Sequence, residues 1–131
     1  MALLMAAHCP QLFKAVGAYV PICDLARWAE ENVDYRAHVL ACCGGDAEEM
    51  MRRSPISFID GIAQANVKIF HGKFDPVVSV AQSMDLYTRT VEAHPTARVF
   101  LDIFDGGHEI DMETAMYWFL SQGAAKTAIT G

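Results

Sequence analysis

Three short runs of mostly apolar residues, "FKAVGAYVP" (Phe13 to Pro21), "NVKIFHG" (Asn66 to Gly72) and "ARVFLDIF" (Ala97 to Phe104), each precede a segment that reads as helix. No other feature of the chain restricts its fold as much. β-branched and aromatic residues bounded by Pro and Gly favour strands. Strands that alternate with helices build a parallel sheet with right-handed crossovers, because each helix carries the chain back across a sheet face. The predicted order is helix, strand, helices, strand, helix, strand, helix. The fold class is therefore α/β, as a three-layer α/β/α sandwich with about three parallel strands.

The helices follow from local signals. "MALLMAAH" is helical in pattern from its first residue, without an N-cap, and stops before Pro10. Asp24 caps a helix through "LARWAEENVDYRAHVL", and Gly44-Gly45 breaks the chain after it. "DAEEMMRR" carries Asp46 and Glu49 at capping-box spacing and is stopped by Ser54-Pro55. "DPVVSVAQSMDLYTRTVEAH" is the clearest helix: Val77, Val80, Ala81, Met84, Tyr87 and Val91 share one face. "DMETAMYWFLSQ" closes the fold, and residues 123–131 read as a disordered tail. No internal repeat or linker divides the 131 residues, so residues 1–131 form one domain or part of one.

Composition removes several classes of function. With a formal net charge of −6 and no basic cluster longer than Arg52-Arg53, the chain lacks the footprint of a nucleic-acid binder. No apolar run reaches the length of a membrane span. No Gly-rich phosphate loop follows a strand, which argues against a nucleotide-binding sheet. Cys9, Cys23, Cys42 and Cys43 form neither a CxxC pair nor a zinc spacing, so no metal and no cofactor is expected. They read as buried free thiols, which favours a reducing, cytoplasmic setting.

In an open parallel sheet, function collects at the carboxyl ends of the strands. The second strand runs into His71-Gly72-Lys73-Phe74-Asp75, and the third into Asp105-Gly106-Gly107-His108. Asp75 before Pro76 has an ordinary explanation as an N-cap, and His108 alone as a surface histidine. At the ends of neighbouring strands, however, an acid can orient an imidazole that takes a proton from a nucleophile. His71 reads as packing at the strand end, and His8, His38 and His94 as lying near helix ends or the surface.

"HGKFDPVVSVAQSMDLYTRTV" followed by "VFLDIFDGGHEID" resembles the last part of an α/β-hydrolase domain of the prolyl oligopeptidase-like type. The family pattern is a strand, HGxxD, a helix with QSxxLY, a strand and a GxGH loop. "GGDAEEMMRRSPISFI" is similar to the segment before the acid strand, and "MALLMAAHCPQLFKAVGAYVPICD" to the stretch after the nucleophile elbow. The resemblance implies that Asp75 is the triad acid and His108 the triad base. It also implies that the serine lies about five residues before Met1, with the oxyanion donors upstream as well. No Gly-x-Ser-x-Gly occurs in the chain. Three positions depart from the pattern: Pro76 directly follows the acid, Asp105 stands where the histidine loop has its first glycine, and Glu109 follows the histidine.

Two functions fit this reading. One is a serine-type peptidase or esterase whose full-length form takes peptide or small ester substrates by acyl transfer. The other is an inactive truncated hydrolase serving as an interaction module. In that case the first strand is an exposed sheet edge, through which the chain forms a homo-oligomer or pairs with an N-terminal half.

Overall fold

The computed structural model describes the backbone of residues 1–130 and the side chains of residues 1–123. Three parallel strands, β1 (Val16–Tyr19), β2 (Val67–Gly72) and β3 (Val99–Phe104), lie in the order β1-β2-β3. Val16, Val67 and Val99 stand in one row of the register, and Ala18, Ile69 and Leu101 in another. Because side chains alternate along a strand, these rows point to one face. There they meet Leu3, Ala6, Ile62 and Leu86 in the main core.

That face is covered by α1 (Ala2–His8), α5 (Ile59–Ala63) and α6 (Ala81–Ala93). The opposite face carries Lys68 and Phe70, with α7 (Met112–Thr130) laid across it. The Trp118 ring meets Phe70 edge-on at 6.4 Å, and Phe119 packs over Gly17. The α/β three-layer expectation therefore holds. The tail expected at 123–131 falls on residues whose side chains, apart from Gly123, lie outside the described ones.

Between β1 and β2 the chain forms α2 (Leu25–Glu31), α3 (Val33–Cys42), α4 (Ala47–Arg52) and a short 3₁₀ turn, Pro55–Phe58. The single helix expected over Leu25 to Leu40 is broken at Asn32. Its backbone leaves the helical region (φ −122°, ψ 79°), and its side chain and amide both bond the Trp28 carbonyl. Asp24 does cap α2, accepting from the Arg27 amide at 3.1 Å. Asp46 caps α4, but Glu49 turns away from the capping box to bind Arg52 and Arg53. These helices enclose a second cluster of Trp28, Ala29, Val39, Cys43, Met50 and Val78, which lies against the turn after β2.

Two further expectations are corrected. Only Cys23 and Cys43 are buried, while Cys9 and Cys42 are exposed on the outside of short helical ends. The helix after Asp75 begins at Ala81, not at Pro76, and it buries Gln82, Ser83, Leu86 and Thr90. Met84, expected on the buried face, is exposed. The turn at 76–80 shifts the phase of the helix, and three inward polar groups have partners that make burial tolerable. Gln82 accepts from the Cys23 and Asp24 amides at 2.9 and 2.7 Å and donates to the Asp24 carbonyl. Ser83 meets His71, and Thr90 donates to the Leu86 carbonyl.

Candidate active site

The carboxyl ends of β2 and β3 are adjacent because Gly72 pairs with Phe104 in the parallel register. Two backbone bonds extend that pairing into the loops: the Lys73 amide donates to the Phe104 carbonyl at 2.9 Å, and the Phe74 amide to Gly106 at 3.0 Å. The close approach depends on Gly72 having no side chain. A Cβ there would lie 2.1 Å from the Gly107 oxygen and 2.6 Å from that of Gly106. The acid loop thus rests directly on the histidine loop.

Asp75 divides its two oxygens between two tasks. Oδ1 accepts from the amides of Val77 and Val78 at 2.8 and 2.9 Å, closing the turn before α6. Oδ2 accepts from His108 Nδ1 at 2.9 Å. The N-cap reading of Asp75 is corrected, since the N-cap of α6 is Val80: Oδ1 closes the turn that precedes the helix, and Oδ2 is the oxygen left for the histidine. The Asp75 side chain is fully buried, whereas the His108 ring is 42% exposed. Burial pushes the Asp75 carboxyl up, but the Val78 amide, His108 and the Val77 amide outweigh it and hold the group below its ordinary value.

With Nδ1 donating to the carboxylate, His108 Nε2 carries the free lone pair. It has no hydrogen-bond partner among the described residues, on a ring that is partly exposed. A buried carboxylate that fixes the tautomer and an unpartnered Nε2 that can take a proton together make a general-base arrangement. The two residues singled out in the sequence are brought together as expected.

His71, which reads from the sequence as packing, is indeed fully buried, but it also reaches this pair. Its Nε2 lies 2.8 Å from the Val78 carbonyl and 3.4 Å from Asp75 Oδ2, and its Nδ1 lies 2.7 Å from Ser83 Oγ. The spacing of His71 and Asp75, four apart across a strand end, is the signal that could have found it. Among the described residues, no group of three or more His, Cys, Asp or Glu side chains is placed to hold a metal ion. No helix among them is long and apolar enough to cross a membrane.

Beyond the open side of β1 runs a cavity of about 580 Å³, lined by Leu3, Gly17, Tyr19, Ile110, Met112 and Phe119 among others. Its Ile110 and Met112 come from the segment just after His108.

A parallel α/β sheet carrying an acid–histidine pair at the ends of adjacent strands is the frame of an α/β-hydrolase. A sequence profile of the prolyl oligopeptidase family matches residues 1–122, and the chain belongs to that family of serine peptidases and related esterases. No curated protein matches the sequence significantly. Solved structures with the same fold include a puromycin-hydrolysing peptidase of Mycobacterium tuberculosis, with 23% identity and a TM-score of 0.65. An acylaminoacyl peptidase of Pyrococcus horikoshii superposes with 20% identity and a TM-score of 0.65. An esterase of Pyrococcus furiosus does so with 18% identity and a TM-score of 0.56. These alignments cover 82%, 80% and 82% of this chain, and 17%, 18% and 42% of the other chains. The chain thus spans less than a fifth of the length of the two peptidases.

Proposed function

We propose that Asp75 and His108 are the acid and base of a serine-hydrolase triad acting on peptides or small esters. The observation that carries this reading is the 2.9 Å bond from His108 Nδ1 to the buried Asp75 carboxylate, with Nε2 left open. His108 Nε2 takes the hydroxyl proton as a serine attacks the substrate carbonyl, then delivers it to the leaving group. Asp75 stabilises the intervening imidazolium without itself becoming protonated. The sequence contains no Gly-x-Ser-x-Gly, so the serine and its oxyanion donors come from residues outside these 131. The 131-residue chain alone is then inactive, because triad and oxyanion hole act as a unit. A serine-directed fluorophosphonate should leave it unlabelled, and stoichiometric labelling at any of its serines refutes the reading. In a form that includes the elbow, His108→Ala should lower turnover at least ~1,000-fold with the fold retained. Turnover close to wild type rejects the assignment.

A second reading, an interaction module without activity, is favoured by the position of β1 at the end of the sheet order beside the apolar cavity. An open strand edge templates pairing with another strand. The chain then self-associates or binds a hydrolase N-terminal half through Ala15 to Val20. Sedimentation as a clean monomer, with slow amide exchange along that segment, argues against it.

A further inference from the structure

We propose that His71 is a positioning residue for the acid–base pair: its buried imidazole fixes the Asp75 turn and faces the same carboxylate oxygen that His108 binds. This rests on Asp75 and His108 acting as a pair. The Val78 carbonyl can only accept, so His71 Nε2 carries a hydrogen and donates to it at 2.8 Å. Nδ1 is then unprotonated and accepts from the Ser83 hydroxyl at 2.7 Å. Both ring nitrogens have partners, as a fully buried polar ring requires.

Packing alone does not account for where those partners lie. Val78 gives its amide to Asp75 Oδ1 and its carbonyl to His71, so one residue of the turn is gripped from both sides. The preceding carbonyl, that of Val77, accepts from the Trp28 indole at 2.9 Å. Consecutive carbonyls of the acid turn are therefore tied to β2 through His71 and to α2 through Trp28. At 3.4 Å from Asp75 Oδ2, the Nε2–H of His71 is too distant for a strong hydrogen bond. Its positive end nevertheless faces the carboxylate and disfavours rotation of Oδ2 away from His108. The Val78 carbonyl fixes the tautomer that makes this possible, and the Ser83 hydroxyl on α6 satisfies the other ring nitrogen. Remove the ring, and the nearly buried Val78 carbonyl loses its donor while the carboxylate loses its inner restraint.

The test reads ring tautomers by ¹⁵N NMR of the labelled 131-residue chain, at a pH where the histidines are neutral. His108 is expected as the Nδ1–H tautomer and His71 as Nε2–H, with His108→Ala and His71→Phe assigning the signals. In His71→Phe, His108 should lose its pure Nδ1–H state and move to a mixture with Nε2–H. His71→Gln, whose amide can still donate to the Val78 carbonyl, should restore it. A folded His71→Phe chain with His108 still wholly Nδ1–H overturns the proposal. Should His71→Phe fail to fold, His71→Leu, smaller and equally unable to donate to the Val78 carbonyl, gives the same reading: His108 moves to the mixture, or else the proposal is wrong. Asp75→Ala separates the two levels. If His108 keeps its Nδ1–H state there, the pair itself is refuted. If that state is lost in Asp75→Ala but kept in His71→Phe, only the role of His71 is.

Discussion

Gly72→Ala tests how the two loops are held together. The new Cβ would stand 2.1 Å from the Gly107 oxygen and 2.6 Å from that of Gly106, where such contacts essentially never fall below 3.0 Å. Both obstacles are backbone, so no side chain can swing aside. Relief requires the histidine loop to retreat by about 1 Å or β2 to shift, either of which strains the bonds from Lys73 to Phe104 and from Phe74 to Gly106. Forced overpacking of this kind costs about 1–3 kcal/mol. For a chain of this size, that lowers the urea midpoint by about 1 M. Because His108 directly follows Gly107, the same displacement takes its 2.9 Å bond to Asp75 toward ~4 Å, past hydrogen-bonding range. In a form carrying the nucleophile, a misplacement of about 1 Å lowers turnover by ~100-fold. Circular dichroism in urea measures the first effect, and the His108 tautomer the second. A Gly72→Ala chain with an unchanged midpoint and an intact Nδ1–H tautomer refutes the claim that loop contact sets the pair.

Three other outcomes depend on single groups. Asp75 has its carboxyl held below the ordinary value, so its stabilising effect is full above the unfolded-state value near ~3.9 and is lost as pH falls through the lower folded value. The gap in urea midpoint between wild type and Asp75→Asn should shrink on acidification below about pH 4, and a constant gap contradicts this. Burial pushes the Cys23 thiol up to about 12, so in the native chain a disulfide reagent should react at exposed Cys9 and Cys42 but spare Cys23; rapid native labelling of Cys23 counts against its burial. Gln82→Ala strands the Cys23 and Asp24 amides at the β1–α2 junction, while the Asp24 carbonyl keeps the Trp28 amide, and should cost about 2–3 kcal/mol in urea unfolding, whereas a loss under about 0.5 kcal/mol, that of a surface change, contradicts its inward role.

The strands were legible because apolar runs bounded by Pro and Gly have few other uses in a short chain. β2 and β3 fall inside the expected runs, but β1 spans only Val16–Tyr19 of the nine residues from Phe13 to Pro21. Val20 leaves the strand at a φ of 43°, which a β-branched residue rarely adopts and no pattern announces. The break at Asn32 was equally hidden. Its cause is a side chain competing for the Trp28 carbonyl, a local bond that leaves the apolar periodicity on either side intact. Asp75 and His108 could be read as a pair because both sit at strand ends, where topology alone brings them together. Their distance and burial depend on Gly72, which the sequence offers only as one glycine among nine.

The larger misreading, on α6, is tied to the site itself. Hydrophobic periodicity treats a polar side chain as a solvent-facing one, yet Gln82 and Ser83 point inward while Met84 faces out. What reverses the rule is supply of partners: unpaired amides at Cys23 and Asp24 require an acceptor, and the buried ring of His71 requires a donor. Those needs arise only after β1, β2 and the acid turn have come together, so no window of α6 contains them. Local pattern fails where residues serve contacts distant in sequence, and such contacts concentrate where a site is built. On α6 the failure marks the side of the helix that reaches Asp75 through His71. Of the polar residues that make the helix hard to read, Gln82 ties α6 to the start of α2, and Ser83 ties it through His71 to the turn that holds the Asp75 carboxylate against His108.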